Sequence, residues 1–158
     1  PSLEEAEAIQ KKWHQTLAEW QTKGAQPWEI RVAARYANWA DKLVEAVRAE
    51  HPTLDLVLQA IRINNIVLTS LNVEAFFETG LAVKKKSPFE HTQVLGYSNG
   101  VVAYLPYAKD YPSDGWKINE AYAVPDLLVQ AYLMPVALHP DSEQQAVDHL
   151  TALIQQLQ

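Results

Sequence analysis

The feature that most constrains this chain is a strand–turn–strand–helix–strand pattern between Leu54 and Tyr97. Leu54, Leu56 and Leu58 alternate with other residues, and Ile61 and Ile63 continue the run, which predicts a strand. Asn64-Asn65 reads as a two-residue hairpin turn, because Asn tolerates positive φ better than most residues. Ile66 to Leu71 is the returning strand. Glu74 to about Lys85 carries a helical pattern, with Phe76, Phe77, Gly80, Leu81 and Val83 expected to face inward. Ser87-Pro88 ends it, since the residue before proline is driven out of helical geometry. Thr92 to Tyr97 is a further strand, apolar enough to be expected at the centre of a sheet. Strand, helix, strand in that order predicts one parallel βαβ unit beside the hairpin, and hence a mixed sheet.

Helices are expected on both sides of this unit. Ser2 and Glu5 form an S-x-x-E capping box. Leu3, Ala6, Ile9, Trp13, Leu17 and Trp20 then recur at three- and four-residue spacing. Gly24 and Pro27 mark the end of that helix and the start of the next. The second helix is expected to run to about Glu50, before His51-Pro52. It carries two adjoining stripes: Ile30, Ala33, Ala37, Ala40, Val44, Val47 and Trp28, Val32, Tyr36, Trp39, Leu43. Two such stripes predict a broad buried face. Pro140-Asp141-Ser142 opens a last helix, with Ser142 and Gln145 as a second capping box and Ala146, Leu150, Leu153, Ile154 and Leu157 as its apolar positions. Leu127 to Met134 suits a strand or a short helix. The predicted fold is therefore α/β: a strand hairpin plus a βαβ unit forming a mixed sheet, flanked by two N-terminal helices and one C-terminal helix. At 158 residues a single domain, spanning the whole chain, is expected.

Composition narrows the function. With 13 basic against 19 acidic residues, the chain lacks the clustered Lys and Arg of an extended nucleic-acid surface. Its one basic run, Lys84-Lys85-Lys86, reads first as a solvated helix C-terminus complementing the helix dipole; a membrane-surface role is the weaker reading. There is no cysteine, which removes disulfides, thiolate metal sites and a cysteine nucleophile. No apolar run approaches the roughly 18 residues of a membrane span. The N-terminus lacks the basic start and apolar stretch of a signal peptide, and it lacks a Met, as in a trimmed piece of a longer chain. The five histidines include no H-E-x-x-H pair, and there is no G-x-S-x-G or Gly-rich phosphate loop.

In α/β folds, ligands bind beyond the carboxyl ends of strands. Here the first strand exit leads to Glu74 and the second leads to Tyr104. By themselves these read as a helix N-terminal acid and an ordinary core or rim tyrosine. Between Asn99 and Val124 tyrosines, a tryptophan and prolines crowd an irregular stretch; aromatic content of that kind favours an ordered, functional loop.

Several motifs recur in order over roughly Ile61 to Trp116. Val73-Glu74-Ala75-Phe76-Phe77-Glu78-Thr79-Gly80-Leu81 resembles a "PGE-x-F-x-x-x-G" segment, and Ser87-Pro88-Phe89 an "SPF" segment. Gly96-Tyr97-Ser98-Asn99-Gly100-Val101-Val102-Ala103-Tyr104-Leu105-Pro106 resembles "GLxNGxxxYxPT". Tyr111 to Trp116 stands where "EYxxGGYE" would. All are segments of the neutral/alkaline (non-lysosomal) ceramidases and their shorter bacterial relatives, which this chain therefore resembles. The resemblance implies a zinc-dependent N-acyl amide hydrolase of lipid metabolism. Its zinc would be held by Glu74, Tyr104 and two histidines from an N-terminal part of the same protein. This chain would then be the C-terminal portion, inactive alone, acting in the whole protein on a small lipid or N-acyl amide. A secreted or periplasmic location is implied in the same way. Trp116 and Tyr107 take the catalytic positions, and Asn99 and Tyr111 the substrate-binding ones. The departures are Asn72-Val73 for Pro-Gly, Tyr107 for Thr, Trp116 for a tyrosine that assists the carbonyl, and Lys117 for Glu. Indole offers one N–H donor and does not titrate like a phenol. The departures keep a second reading open: a non-catalytic lipid- or glycan-binding module on the same scaffold, using the aromatic loop as a stacking surface.

Overall fold

The structure is a computed structural model and describes residues 1–49, 52–111, 118–119, 124–125 and 132–158. These fall into two compact units, one comprising residues 1–53 with 117–137 and the other residues 54–116 with 138–158.

The first unit is built on a helix pair. Helix α1 (Leu3–Lys23) starts at the predicted capping box, with Ser2 and Glu5 bonded reciprocally, and ends at Gly24 with φ of 68°. That left-handed conformation has little cost for glycine, which has no Cβ to clash. Helix α2 (Pro27–Arg48) begins on its proline and ends two residues before the predicted boundary. Its broad apolar face is real only in part. Ala33, Ala37, Trp39, Ala40, Leu43 and Val44 are buried, while Trp28 and Val32, at the N-terminal end of the second stripe, are exposed. Ala6 of α1 joins Trp39, Ala40, Leu43 and Val44 in one core cluster, with Ile9, Trp13, Tyr36, Leu133 and Val136 packed around it. The Trp39 indole N–H donates to the Met134 carbonyl at 2.8 Å, so a buried donor is satisfied. Residues 127–131, for which strand or helix was open, lie outside the described residues.

The second unit contains the predicted α/β core. Strands β1 (Leu58–Ile63) and β2 (Ile66–Leu71) form the hairpin around Asn64-Asn65, with Asn64 at φ of 55°. Leu54 to Val57 do not join the strand. A two-residue strand, β3 (Glu74–Ala75), precedes helix α3 (Phe77–Lys86). Strand β4 (His91–Leu95) then pairs parallel with β2. The sheet order is β1-β2-β4, mixed as predicted, but the central strand is β2 and β4 is an edge. Strand β5 (Tyr104–Leu105) pairs parallel with β3, and a single 3₁₀ turn follows at Ala108–Asp110. The antiparallel pair of the first unit is β6 (Ile118–Asn119) with β7 (Val124–Pro125). Helix α4 (Ser142–Gln155) closes the chain. Its second capping box does not form: Asp141 is the N-cap, in helical geometry, and makes no side-chain cap bond. Ser142 is thereby already inside the helix, where its hydroxyl is not placed to cap.

Helices α3 and α4 pack on each other, α3 against β4 and α4 against β1 and β2. Val67, Thr69 and Leu71 of β2 and Thr92 of β4 share one sheet face and are buried, as are Val83 of α3 and Ala146, Val147, Leu150 and Ile154 of α4. The inward set of α3 differs from the predicted one. Thr79 and Val83 are buried, whereas Phe77 and Leu81 are largely exposed, at 73% and 58%. The reason is the start of the helix. Glu74–Ala75 is drawn into a strand, the helix begins three residues late, and its buried stripe is fixed by where α4 lies. The opposite sheet face carries Ile61, Ile63, Ile66 and Leu95, all exposed, aligned by the registers Ile63–Ile66–His91 and Ile61–Leu68–Gln93.

Candidate functional site

The site is made by the way β2 leaves the sheet. After Leu71 the chain stays extended and is held on both sides by backbone hydrogen bonds. On one side, the Tyr97 N–H donates to the Val73 carbonyl at 3.1 Å and the Ser98 N–H to the Leu71 carbonyl at 3.2 Å. On the other, the Val102 N–H donates to the Asn72 carbonyl at 3.0 Å and the Glu74 N–H to the Ala103 carbonyl at 2.9 Å. The exit of β2 is thus clasped between the exit of β4 and the approach to β5. Gly96 permits this. A Cβ there would sit 3.3 Å from the Val73 carbonyl oxygen, tighter than ordinary contact. Asn72, which stands at one of the departures noted above, is buried and accepts the Val57 N–H at 2.8 Å, tying the segment before β1 to the clasp.

Within the clasp, Glu74 and Tyr104 are register partners in the parallel β3–β5 pair. Glu74 is therefore a strand residue, two positions before the N-cap Phe76, and not the first-turn helical acid expected from the sequence. The first-turn acid is Glu78. The helix dipole consequently does not account for the charge of Glu74. Two phenols do. The Tyr104 and Tyr97 phenols both interact with its carboxylate. Each phenol is in turn held protonated. Polar contact with Glu74, then burial, then the charge of Glu74 push Tyr104 up, and the same causes together with Tyr104 itself push Tyr97 up to about 12. A proton lost from either would put two negative oxygens in contact.

Tyr97 is the residue that sequence reasoning missed. Its φ is 55°, a left-handed conformation that an aromatic residue rarely adopts, and it is 60% exposed. The backbone is forced there by the two bonds from Tyr97 and Ser98 to the exit of β2. The strain turns an otherwise outward side chain to the carboxylate, as strained backbone at functional sites often does. The only sequence signal was its place in the G-x-x-N-G segment, one residue past Gly96.

The remaining predicted residues have other surroundings. Asn99, at φ of 59°, donates from Nδ2 to Gln59 Oε1 at 2.8 Å, joining the turn after β4 to β1. The Tyr107 ring lies under the Lys109 ammonium, 4.9 Å from its centroid, and Lys109 reaches Glu78 of α3 at 3.6 Å. Tyr111 is half-buried, and burial pushes its phenol up to about 12. Trp116 and Lys117 lie outside the described residues. His14 bonds to Asp41 at 2.8 Å and belongs to the helix pair, and His91 is exposed at the start of β4.

The donor set is one carboxylate and two phenols, hard oxygen ligands suited to a hard or borderline cation. Among the described residues, no group of three or more His, Cys, Asp or Glu is placed to hold a metal. The trio by itself would supply only part of a coordination shell. Among the described residues no helix is long and apolar enough to cross a membrane. Comparison of the chain with protein-family models, curated proteins and solved structures finds no match.

Proposed function

We propose that this chain is the C-terminal portion of a zinc-dependent N-acyl amide hydrolase of the neutral-ceramidase type, with Glu74 and Tyr104 as metal ligands. The observation that carries the reading is the β3–β5 register, which sets the carboxylate of Glu74 and the phenol of Tyr104 side by side at adjoining strand exits. The motif resemblance selects the same two residues independently of the fold. Zinc bound there would supply a water activated near neutral pH and a Lewis acid for the amide carbonyl. What the residues of this chain do is hold and orient. The clasp fixes Glu74, Tyr104 offers its oxygen in register with it, and Tyr97 keeps the carboxylate aligned while its own proton stays in place.

The two histidines completing the shell would come from an N-terminal part of the same protein. The uncovered apolar face of the β1-β2-β4 sheet supports such a partner, since a parallel pair such as β2–β4 is rarely left bare on one side. A second reading, a lipid- or glycan-binding module without catalysis, is favoured by one feature: Tyr97 is exposed beyond Leu95, which lies on that same apolar face.

The experiment is metal analysis and amide hydrolysis in the full-length protein with an N-acyl sphingoid substrate. Glu74→Ala is expected to remove both zinc and turnover. Unchanged zinc content and activity in Glu74→Ala would end the hydrolase reading. Retained lipid binding by a protein that holds no zinc and turns over no amide would establish the second.

A further inference from the structure

Away from the Glu74 trio, the contact between α3 and α4 contains an arrangement of carboxylates that the proposed chemistry does not use. Glu143, in the first turn of α4, is only 4% exposed, and its Oε1 has no hydrogen-bond partner. Glu78, in the first turn of α3, has a buried Oε2 that likewise has none; its Oε1 faces Lys109 at 3.6 Å. Thr79, fully buried between the helices, has a hydroxyl lying against Glu143, in a geometry short of a formed hydrogen bond. Lys86 and Asp148, which also face this contact, are bound to each other at 2.7 Å. Lys86, whose charge acts on Glu143, is thus already committed to another carboxylate.

A buried acceptor-only oxygen without a donor is costly, and a buried carboxylate without a cation more so. The smallest change that relieves Glu143 is a proton on its own carboxyl group, which removes the charge and creates a donor for a neighbouring oxygen. We propose that Glu143, with Glu78 and Thr79 facing it, is a proton-operated latch between α3 and α4, drawn tight when Glu143 is protonated and loosened when it ionises. Every group packed around it bears on the sign. Burial raises the Glu143 pKa most; Thr79 and Lys86 pull it down; Glu78 and Asp148 push it up; the net direction is upward from 4.5. The folded state therefore binds this proton more tightly than the unfolded chain. Stability from Glu143 is fully present below the ordinary glutamate range and is lost as pH rises through the raised value. Because α3 follows directly on β3, and Lys109 ties Glu78 to the 3₁₀ turn after β5, the latch acts on both segments that leave the Glu74–Tyr104 pair. It does not depend on a metal there.

The test is hydrogen exchange of α3 and α4 in the whole chain, with thermal unfolding, from about pH 4.5 to about pH 8, for wild type and Glu143→Gln. Glutamine imitates the protonated acid. The expected result is faster exchange in α3 and α4 of wild type as pH rises, after correction for intrinsic rates, and none of this excess in Glu143→Gln. The variant is expected to melt about 3 °C above wild type at the upper pH and level with it at the lower one. Parallel pH curves for the two proteins, or a Glu143→Gln deficit at every pH, would overturn the latch. If the variant folds poorly, carbon-13 NMR titration of the Glu143 carboxyl in the unmutated chain decides the same question: a midpoint above the ordinary glutamate value supports the latch, and one at or below that value refutes it.

Discussion

Glu74 and Tyr104 face each other as partners in a two-residue parallel pairing, thirty positions apart in the chain, and the carboxylate raises the pKa of the phenol. Neither residue is held by its own local helix. Both are held because the chain leaving β2 is bonded on its two sides to the stretches around Tyr97 and Ala103. A carboxylate whose backbone is fixed in this way is positioned before any ligand arrives, which reduces the ordering cost of binding one.

This relationship has a spectroscopic consequence. Glu74→Gln removes the charge and the strongest acceptor from both phenols. Tyr97 is then expected to titrate well below about 12, toward the ordinary tyrosine value, and Tyr104 to move the same way. Ultraviolet absorbance of tyrosinate against pH measures this. Unaltered titration of every tyrosine in Glu74→Gln would contradict the geometry.

The left-handed backbone at Tyr97 predicts a conflict between stability and the site. Tyr97→Gly relieves the positive φ and is expected to raise the melting temperature by about 2 °C. The same substitution leaves Glu74 with one phenol, so the Tyr104 titration should shift while the protein becomes more stable. A destabilised Tyr97→Gly would mean that the ring contributes more packing than its 60% exposure implies.

Gly96→Ala tests the clasp from the backbone side. The added methyl meets the Val73 carbonyl oxygen at 3.3 Å, and neither strand can move away without loosening the bonds from Tyr97 and Ser98. A loss of about 1–2 kcal/mol is expected on denaturant unfolding, with the Tyr97 and Tyr104 titrations both disturbed.

In the helix pair, Trp39→Phe should be costly. The indole is 1% exposed and its N–H satisfies the Met134 carbonyl. Removing part of the ring leaves a void and an unpaired carbonyl, for a loss of about 2–3 kcal/mol in urea or guanidinium unfolding. Trp28→Phe, at an exposed position of the same helix, should change stability little.

The order of elements was legible in the sequence because it rests on local chemistry. Ser2 with Glu5, Gly24 before Pro27, and Asn64-Asn65 each satisfy or strain the backbone within a few residues, and the apolar run Ile66 to Leu71 after the turn suits a returning strand. Errors arose where distant segments compete for the same backbone. The periodicity from Glu74 onward suits a helix, but the N–H of Glu74 is taken by Ala103, and the helix starts later with Phe77 and Leu81 turned outward. Likewise the apolar run at Val94 and Leu95 suggested a central strand, while pairing placed β2 there.

The sequence by itself determined that this chain is α/β, where its hairpin and helices lie, and that Glu74 and Tyr104 stand at strand exits. Only the tertiary structure decided that these two residues are register partners, that Tyr97 joins them, and that Glu143 is buried beside Glu78. Those are facts about which segments lie alongside one another. They are set by hydrogen bonds and packing between residues far apart in the chain, for which local periodicity carries no signal.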